Sequence, residues 1–296
     1  MAAINNISTK PLRIMPIANV TVLTATTQMR EVRTLKNIHG LYLMGTVAGA
    51  GITLANWIHD VHDVHVTIGG QVVIDHMTPQ ELMDKWNYYM TKDAAIVPAG
   101  ILPIMFVPGD FIADQECSYF RYGMKASADP ADMTALSLNI EITYLAVVLV
   151  ADRVRPFIVV DDDAPETLGD HVRWTKRQST FAGTGKEDIT DVKRAGPRLM
   201  RSLWFPTSTG TIITFDVIEG SDYRYRDVPI DLMQFEQRSA GFIPQANVEV
   251  LAWNLRNAPG SALALDQVES VTVAPNWSVT PAGVYTIIQE LVYRGL

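Results

Sequence analysis

His65-Val66-Thr67-Ile68-Gly69-Gly70, followed by Pro79-Gln80-Glu81-Leu82-Met83, has a second version in the same chain. It is Phe215-Asp216-Val217-Ile218-Glu219-Gly220, followed by Pro229-Ile230-Asp231-Leu232-Met233. Ile68, Gly70, Pro79, Leu82 and Met83 recur at 218, 220, 229, 232 and 233, a constant offset of 150. Glu141-Ile142-Thr143-Tyr144 likewise matches Glu290-Leu291-Val292-Tyr293, at an offset of 149. A period this long exceeds the roughly 20–50 residues of solenoid repeats. The repeated unit is a whole domain.

Around the echo the period is two. Val64, Val66 and Ile68 share one side of a strand. Leu136, Leu138, Ile140, Ile142 and Tyr144 alternate with Ser137, Asn139, Glu141 and Thr143. Residues 212–217, 248–253, 268–273 and 284–292 behave similarly. These are strands with one buried face. Turn residues separate them, as at Gly69-Gly70, Pro108-Gly109-Asp110 and Pro281-Ala282-Gly283. Each half also holds one short helix at its best-matched point. Thr78-Pro79-Gln80-Glu81 is a capping box with proline at the first helical position. Leu82, Trp86 and Tyr89 then share a face. In the second half Pro229 starts a helix with a poorer cap, and Leu232 and Phe235 are expected to face inward.

The fold expected is all-β: two tandem eight-stranded jelly rolls, each with a short inserted helix. The expected boundaries are an N-terminal arm at 1–13, jelly roll 1 at 14–150, a linker at 151–169 and jelly roll 2 at 170–296. The linker rests on Arg153-Val154-Arg155-Pro156 and the acidic Asp161-Asp162-Asp163-Ala164-Pro165-Glu166. The arm lacks any period, and Met1 to Pro11 is expected to order only on assembly.

Composition bounds the function. The chain has 296 residues, 48% hydrophobic and 19% charged, which is globular and sufficient for two cores. Its longest apolar run, Tyr144 to Ala151, is far short of the roughly 20 residues of a membrane helix. The start, Met1-Ala2-Ala3-Ile4-Asn5-Asn6, lacks the charged and apolar regions of a signal peptide. A lone cysteine, Cys117, excludes an intrachain disulfide. A net charge of −8 argues against a dedicated nucleic-acid binder. The basic groups Arg173, Lys176 and Arg177, and Lys193, Arg194, Arg198 and Arg201, read as solvated strand faces and loops.

Catalytic and ligand motifs are missing. His59, His62 and His65, with His76 nearby, suggest a zinc site only if helical. Residues 61–68 read as strand, where a spacing of three sends neighbours to opposite faces. A bicupin would want His-x-His, and the second half offers only His171. The histidines are therefore expected to be structural. Asp161-Asp162-Asp163 with Glu166 offers oxygens to calcium but lacks the EF-hand glycine and terminal glutamate. Gly45, Gly49 and Gly51 read as flexible loop residues rather than a dinucleotide fingerprint. Trp57, Trp86, Trp174, Trp204, Trp253 and Trp277 suit core or interface better than a sugar platform. No catalytic, cofactor-binding or metal residue is assigned.

The order of parts resembles the double jelly-roll major capsid proteins of lipid-containing icosahedral phages, most closely the corticovirus type, within the adenovirus-type double-barrel lineage. The likeness runs from about Met15. It rests on Met15-Pro16-Ile17-Ala18-Asn19, on Val64-x-Val66-x-Ile68-x-Gly70 and on the inserted helix from Pro79. It rests also on Trp174-x-x-Arg177-x-x-x-Phe181 and Glu187-Asp188-Ile189-Thr190-Asp191. The resemblance implies a non-enzymatic structural protein. Three chains would form a pseudo-hexagonal capsomer, and capsomers would tile a virion shell over an internal membrane. Its implied partners are copies of itself, neighbouring capsomers, and penton, minor capsid or membrane proteins. It would be made in the host cytoplasm and bind no specific nucleic-acid sequence. Structural calcium at subunit contacts falls on no particular residue, and no cofactor is implied. The competing readings are a two-jelly-roll enzyme, bicupin or glycoamidase-like, and a carbohydrate-binding sandwich.

Overall fold

The capping box is present in the computed structural model as the sequence pattern requires. Glu81 N donates to Thr78 Oγ1 at 3.2 Å, and Thr78 N donates to Glu81 Oε2 at 2.7 Å. The structure describes residues 13–34, 37–89, 97–106, 136–161, 171–190, 192, 197, 199–207, 210–253, 262–265, 267–281 and 283–293. The chain divides into two units, Met1–Arg173 with Arg294–Leu296, and Trp174–Tyr293.

The first unit runs β1 Arg13–Pro16, β2 Thr27–Thr34, β3 Asn37–Val47, β4 Ala50–Gly51, α1 Leu54–Asp60, β5 Val61–Ile68 and β6 Gln71–Met77. It continues through α2 Pro79–Tyr89, β7 Ile101–Met105, β8 Leu136–Tyr144 and β9 Arg153–Asp161. The second unit takes over within β10 His171–Thr180. It runs β11 Gly185–Lys186, β12 Leu199–Pro206, β13 Thr211–Glu219, β14 Asp222–Pro229, α3 Ile230–Ser239, β15 Val248–Ala252, β16 Leu263–Ala264, β17 Val271–Val279 and β18 Val284–Tyr293.

In the first unit β1-β9-β3 form one sheet with β7 and the short β4 on β3, and β6-β5-β8-β2 form the other. In the second unit the corresponding sheets are β15-β12-β18-β10, with the short β16 on β12, and β11-β17-β13-β14. Setting β4 and β16 aside leaves eight strands per unit among the described residues. Ranked within each unit, they pair identically: first, eighth, third, sixth in one sheet, and second, seventh, fourth, fifth in the other. Each unit is a jelly roll. Alternating strands build the cores. Leu41, Leu43, Val64, Val66, Ile140 and Ile142 are fully buried in the first, and Phe205, Phe215, Val217, Leu251 and Val273 in the second.

Several expectations change. The stretch read as a linker opens as strand: β9 occupies Arg153–Asp161 and pairs with β3 and β1. Its Val154, Ile158 and Val160 are core residues. Pro156 argued against an interior strand, yet its carbonyl is used, accepting from Ile17 N at 2.9 Å. The acidic residues 162–169 lie outside the described residues. Arg13 starts β1, and residues 1–12, including the arm expected to order on assembly, lie outside them too. The glycine-rich stretch is a packed corner rather than a flexible loop. Thr53 caps α1, accepting from Asn56 N at 3.2 Å. A Cβ on Gly51 would meet the Ala99 carbonyl oxygen at 2.3 Å. Arg177 and Arg201 are buried, not solvated. Arg201 Nη1 donates to Glu290 Oε1 at 3.0 Å, and Ser202 Oγ to Glu290 Oε2 at 2.7 Å.

The echo itself is shifted. Gly69 N donates to Ser137 O at 2.8 Å, and Gly220 N donates to Ser270 O at 2.9 Å. These turns are structural equivalents, at an offset of 151 and not 150. α3 likewise starts 151 positions after α2. Met233 therefore takes the place of Leu82, and both are buried. Leu232, one residue earlier, turns outward by about 100° of helix. It is 49% exposed and Phe235 is 60% exposed. The match between 141–144 and 290–293 is not an equivalence, since β8 is the seventh strand of its unit and β18 the eighth.

Thr78→Ala removes a cap whose second half cannot compensate. It is expected to cost about 1 kcal/mol. The denaturant midpoint should fall at unchanged slope.

Candidate functional site

Two features stand out, a duplicated bulge and an apolar sheet face. In the first unit Val64 pairs with Met77 and Val66 with Ile74, so Asp75 and His76 together oppose His65. In the second unit Phe215 pairs with Val228 and Val217 with Tyr225, so Arg226 and Asp227 oppose Asp216. The last bulge residue is left-handed in both, with φ 46° at His76 and 51° at Asp227. Bulges of this kind re-aim side chains.

The chemistry on the two bulges differs. In the second unit Lys186 Nζ reaches Asp216 Oδ2 at 2.7 Å and also bonds Asp227. Asp227 N donates to Asp216 Oδ1 at 2.5 Å. Burial pushes the Asp216 carboxyl up, but the Lys186 ammonium and the Asp227 amide outweigh it and hold it below the usual range. In the first unit Asp63 accepts from His62 Nδ1 at 2.6 Å and His76 Nδ1 at 3.0 Å. Burial opposes ionisation of Asp63, and the two imidazole hydrogen bonds overcome it, so its pKa is lowered. The His65 and His76 rings stack with centroids 4.4 Å apart. Asp75 Oδ1 lies 3.9 Å from His65 Nδ1. Burial, then the neighbouring His76, hold the His65 imidazole below its ordinary pKa.

The sequence candidates thus separate. His65 is in the cluster, and His62 touches its edge through Asp63. His59 is not: at the end of α1 it bonds Asp60 at 2.8 Å, and buried Asp60 accepts from Val150 N and Ala151 N. His76 completes the group through the hairpin, whose bulge has no sequence signature. His171 starts β10. Cys117, Asp162, Asp163 and Glu166 lie outside the described residues. Five tryptophans are buried, and only Trp86 is partly accessible.

The second feature is the outer face of the β1-β9-β3-β7 sheet. Tyr42 pairs with Phe157 and Pro103, and Met44 with Ile101. With Ile14 and with Trp86 of α2 these residues line a cavity of about 420 Å³. Ile14 is 62% exposed and Met44 39%. The equivalent face of the second unit is identified by a shared register shift, at Ile38/Gly40 in β3 and Met200/Ser202 in β12. Tyr42 then corresponds to Trp204, Phe157 to Ile288, Val159 to Glu290 and Pro103 to Val250. Those four residues of the second unit are all buried. In the first unit Val159 and Pro103 are buried as well, and the difference lies at Tyr42 and Phe157, which remain partly open.

The fold defines the class: two jelly rolls in tandem, each with a helix between its fifth and sixth strands. No protein-family model and no curated protein matches the chain. Solved structures do. The major capsid protein from bacteriophage PM2 superposes with a TM-score of 0.75 at 11% identity, covering 96% of this chain and 98% of that one. The major capsid protein of Sulfolobus turreted icosahedral virus gives 0.59 at 10% identity, covering 95% and 96%. The PBCV-1 virus capsid gives 0.54 at 10% identity, covering 96% and 94%. At these identities the likeness is one of fold, and the fold is the double jelly roll of these capsid proteins.

The depressed Asp216 carboxyl makes a signed prediction. The stability it contributes is present above the ordinary carboxylate range and lost as pH falls through its lowered pKa. Asp216→Asn should lower the denaturant midpoint at neutral pH and flatten the acid limb of its pH profile. Parallel acid limbs in both proteins would contradict the assignment.

Proposed function

We propose that this chain is a major capsid protein, a structural building block that assembles with copies of itself into an icosahedral shell. The observation that carries the reading is the match to the PM2 capsid protein, TM-score 0.75 over nearly the whole of both chains. The assembly unit proposed is a homotrimer. Two equivalent sandwiches per chain and a threefold axis present six similar lobes, a shape suited to a hexagonal lattice. The shell would lie over an internal membrane, with penton and minor capsid or membrane proteins as further partners.

The open face of the β1-β9-β3-β7 sheet supports this reading. Its occupant is a second copy of the chain. Leu232 and Phe235 on α3 supply an exposed apolar surface of the matching kind. A patch on one unit meeting a cavity on another copy is a heterologous contact, which makes a ring when the rotation closes. An obligate interface of this sort buries more than about 2,000 Å².

Native mass measurement tests the proposal. Three copies of a 32.8 kDa chain, about 98 kDa, are expected. Met44→Asp with Phe157→Asp, or Phe235→Asp alone, should yield folded monomers with near-native circular dichroism. A wild-type chain that stays monomeric at micromolar concentration would sink the capsid reading.

A further inference from the structure

The duplicated bulge carries a second proposal, independent of assembly. In the second unit it is a cation site: the Lys186 ammonium sits between Asp216 and Asp227. Register identifies the residue that replaces this lysine in the first unit. Lys186 faces Asn276 on β17, which faces Thr214 on β13. Thr27 faces Thr143 on β8, which faces Asp63 on β5. Thr27 therefore stands where Lys186 stands, and the internal cation is gone. Around the same bulge the first unit collects His65, Asp75 and His76, with Glu141 opposite His65 on β8.

We propose that the His65, Asp75 and His76 side chains bind a divalent transition-metal ion, zinc, in place of the lysine. Their ligand atoms all lie within 4.8 Å of one another. His65 Nδ1 is buried without a hydrogen-bond partner. His76 gives its Nδ1 to Asp63, which leaves Nε2 for a metal and fixes the ring by a carboxylate behind it. Asp63 is itself braced by His62. Zinc bonds of about 2.0–2.2 Å require the three ligands to draw together, and half-exposed His76 would close on the ion by pivoting about its Nδ1 bond to Asp63. Two imidazoles and one carboxylate suit zinc rather than calcium, which takes six to eight oxygens. Water would complete the tetrahedron. The ion would tie β5 to the last residues of β6, directly before the Thr78 cap of α2. Lys186 ties β11 to the corresponding place in the second unit.

The test uses the full chain, stripped with a chelator and titrated with zinc chloride by calorimetry, with zinc content measured after gel filtration. One zinc per chain is expected. His76→Asn removes a ligand while keeping a residue that tolerates positive φ, and it should abolish stoichiometric zinc. Asp75→Asn should do the same. Asp63→Asn, which acts only behind His76, should weaken binding by about ten-fold or more. Circular dichroism confirms that each variant is folded. A wild-type chain that retains no zinc overturns the proposal, as does zinc retained equally by the folded His76→Asn variant.

Discussion

Each sandwich closes only when its last strand enters between its first and third. β9 inserts between β1 and β3, and β18 between β10 and β12. Until then the third strand has an open edge, and unpaired backbone groups in a buried sheet are costly. The contacts that result are long-range: Arg13 pairs with Val160 and Asn37 with Asp161. Closing such loops costs entropy before any contact repays it, which makes the topology slow to form. It also places the end of the first sandwich at Asp161. The segment that resembles a linker by composition is the strand that completes the unit.

That dependence explains what the sequence reveals and conceals. Local chemistry is legible: the Thr78–Glu81 capping box, the alternation from Leu136 to Tyr144 and the Gly69-Gly70 turn all appear where the residues place them. Partner choice is not local. Nothing in Arg153-Val154-Arg155-Pro156 shows that β3 waits for it, so proline and charge dominate the reading. The repeat fails for a related reason. Either glycine of Gly69-Gly70 aligns with Gly220, and proline suits both the first helical position and the cap, so identities favour an offset one residue short. One residue rotates a helix by about 100°, enough to send Leu232 from the expected core to the surface. The histidine group was only half visible, because a bulge brings His76 to His65 and spacing within one strand cannot.

Duplication preserved backbone geometry more strictly than side-chain chemistry. Both hairpins keep the two-against-one bulge and its left-handed residue, and both third strands keep their register shift. Those features set strand direction and twist, so losing them would disturb every neighbour. The side chains they display were free to diverge. One bulge holds a lysine between two carboxylates; the other holds stacked imidazoles over an aspartate.

The two outer sheet faces diverged in environment. An outer face left to solvent is ordinarily polar; the first unit's is apolar around Tyr42 and Phe157, whereas the second unit's carries the buried Ser202 and Glu290 beside Trp204 and Ile288. Trp204 and Ile288 are buried at positions where Tyr42 and Phe157 remain partly open, beside exposed Ile14 and Met44. Covering one such side chain is worth about 1.5–3 kcal/mol. Bringing two chains together costs on the order of 4–15 kcal/mol. A single contact through this face is therefore marginal. A closed ring of three changes the balance, because it forms three contacts through only two association events. The third contact adds its burial with little further loss of freedom. In the proposed trimer, an apolar face that holds a pair only marginally would hold a ring.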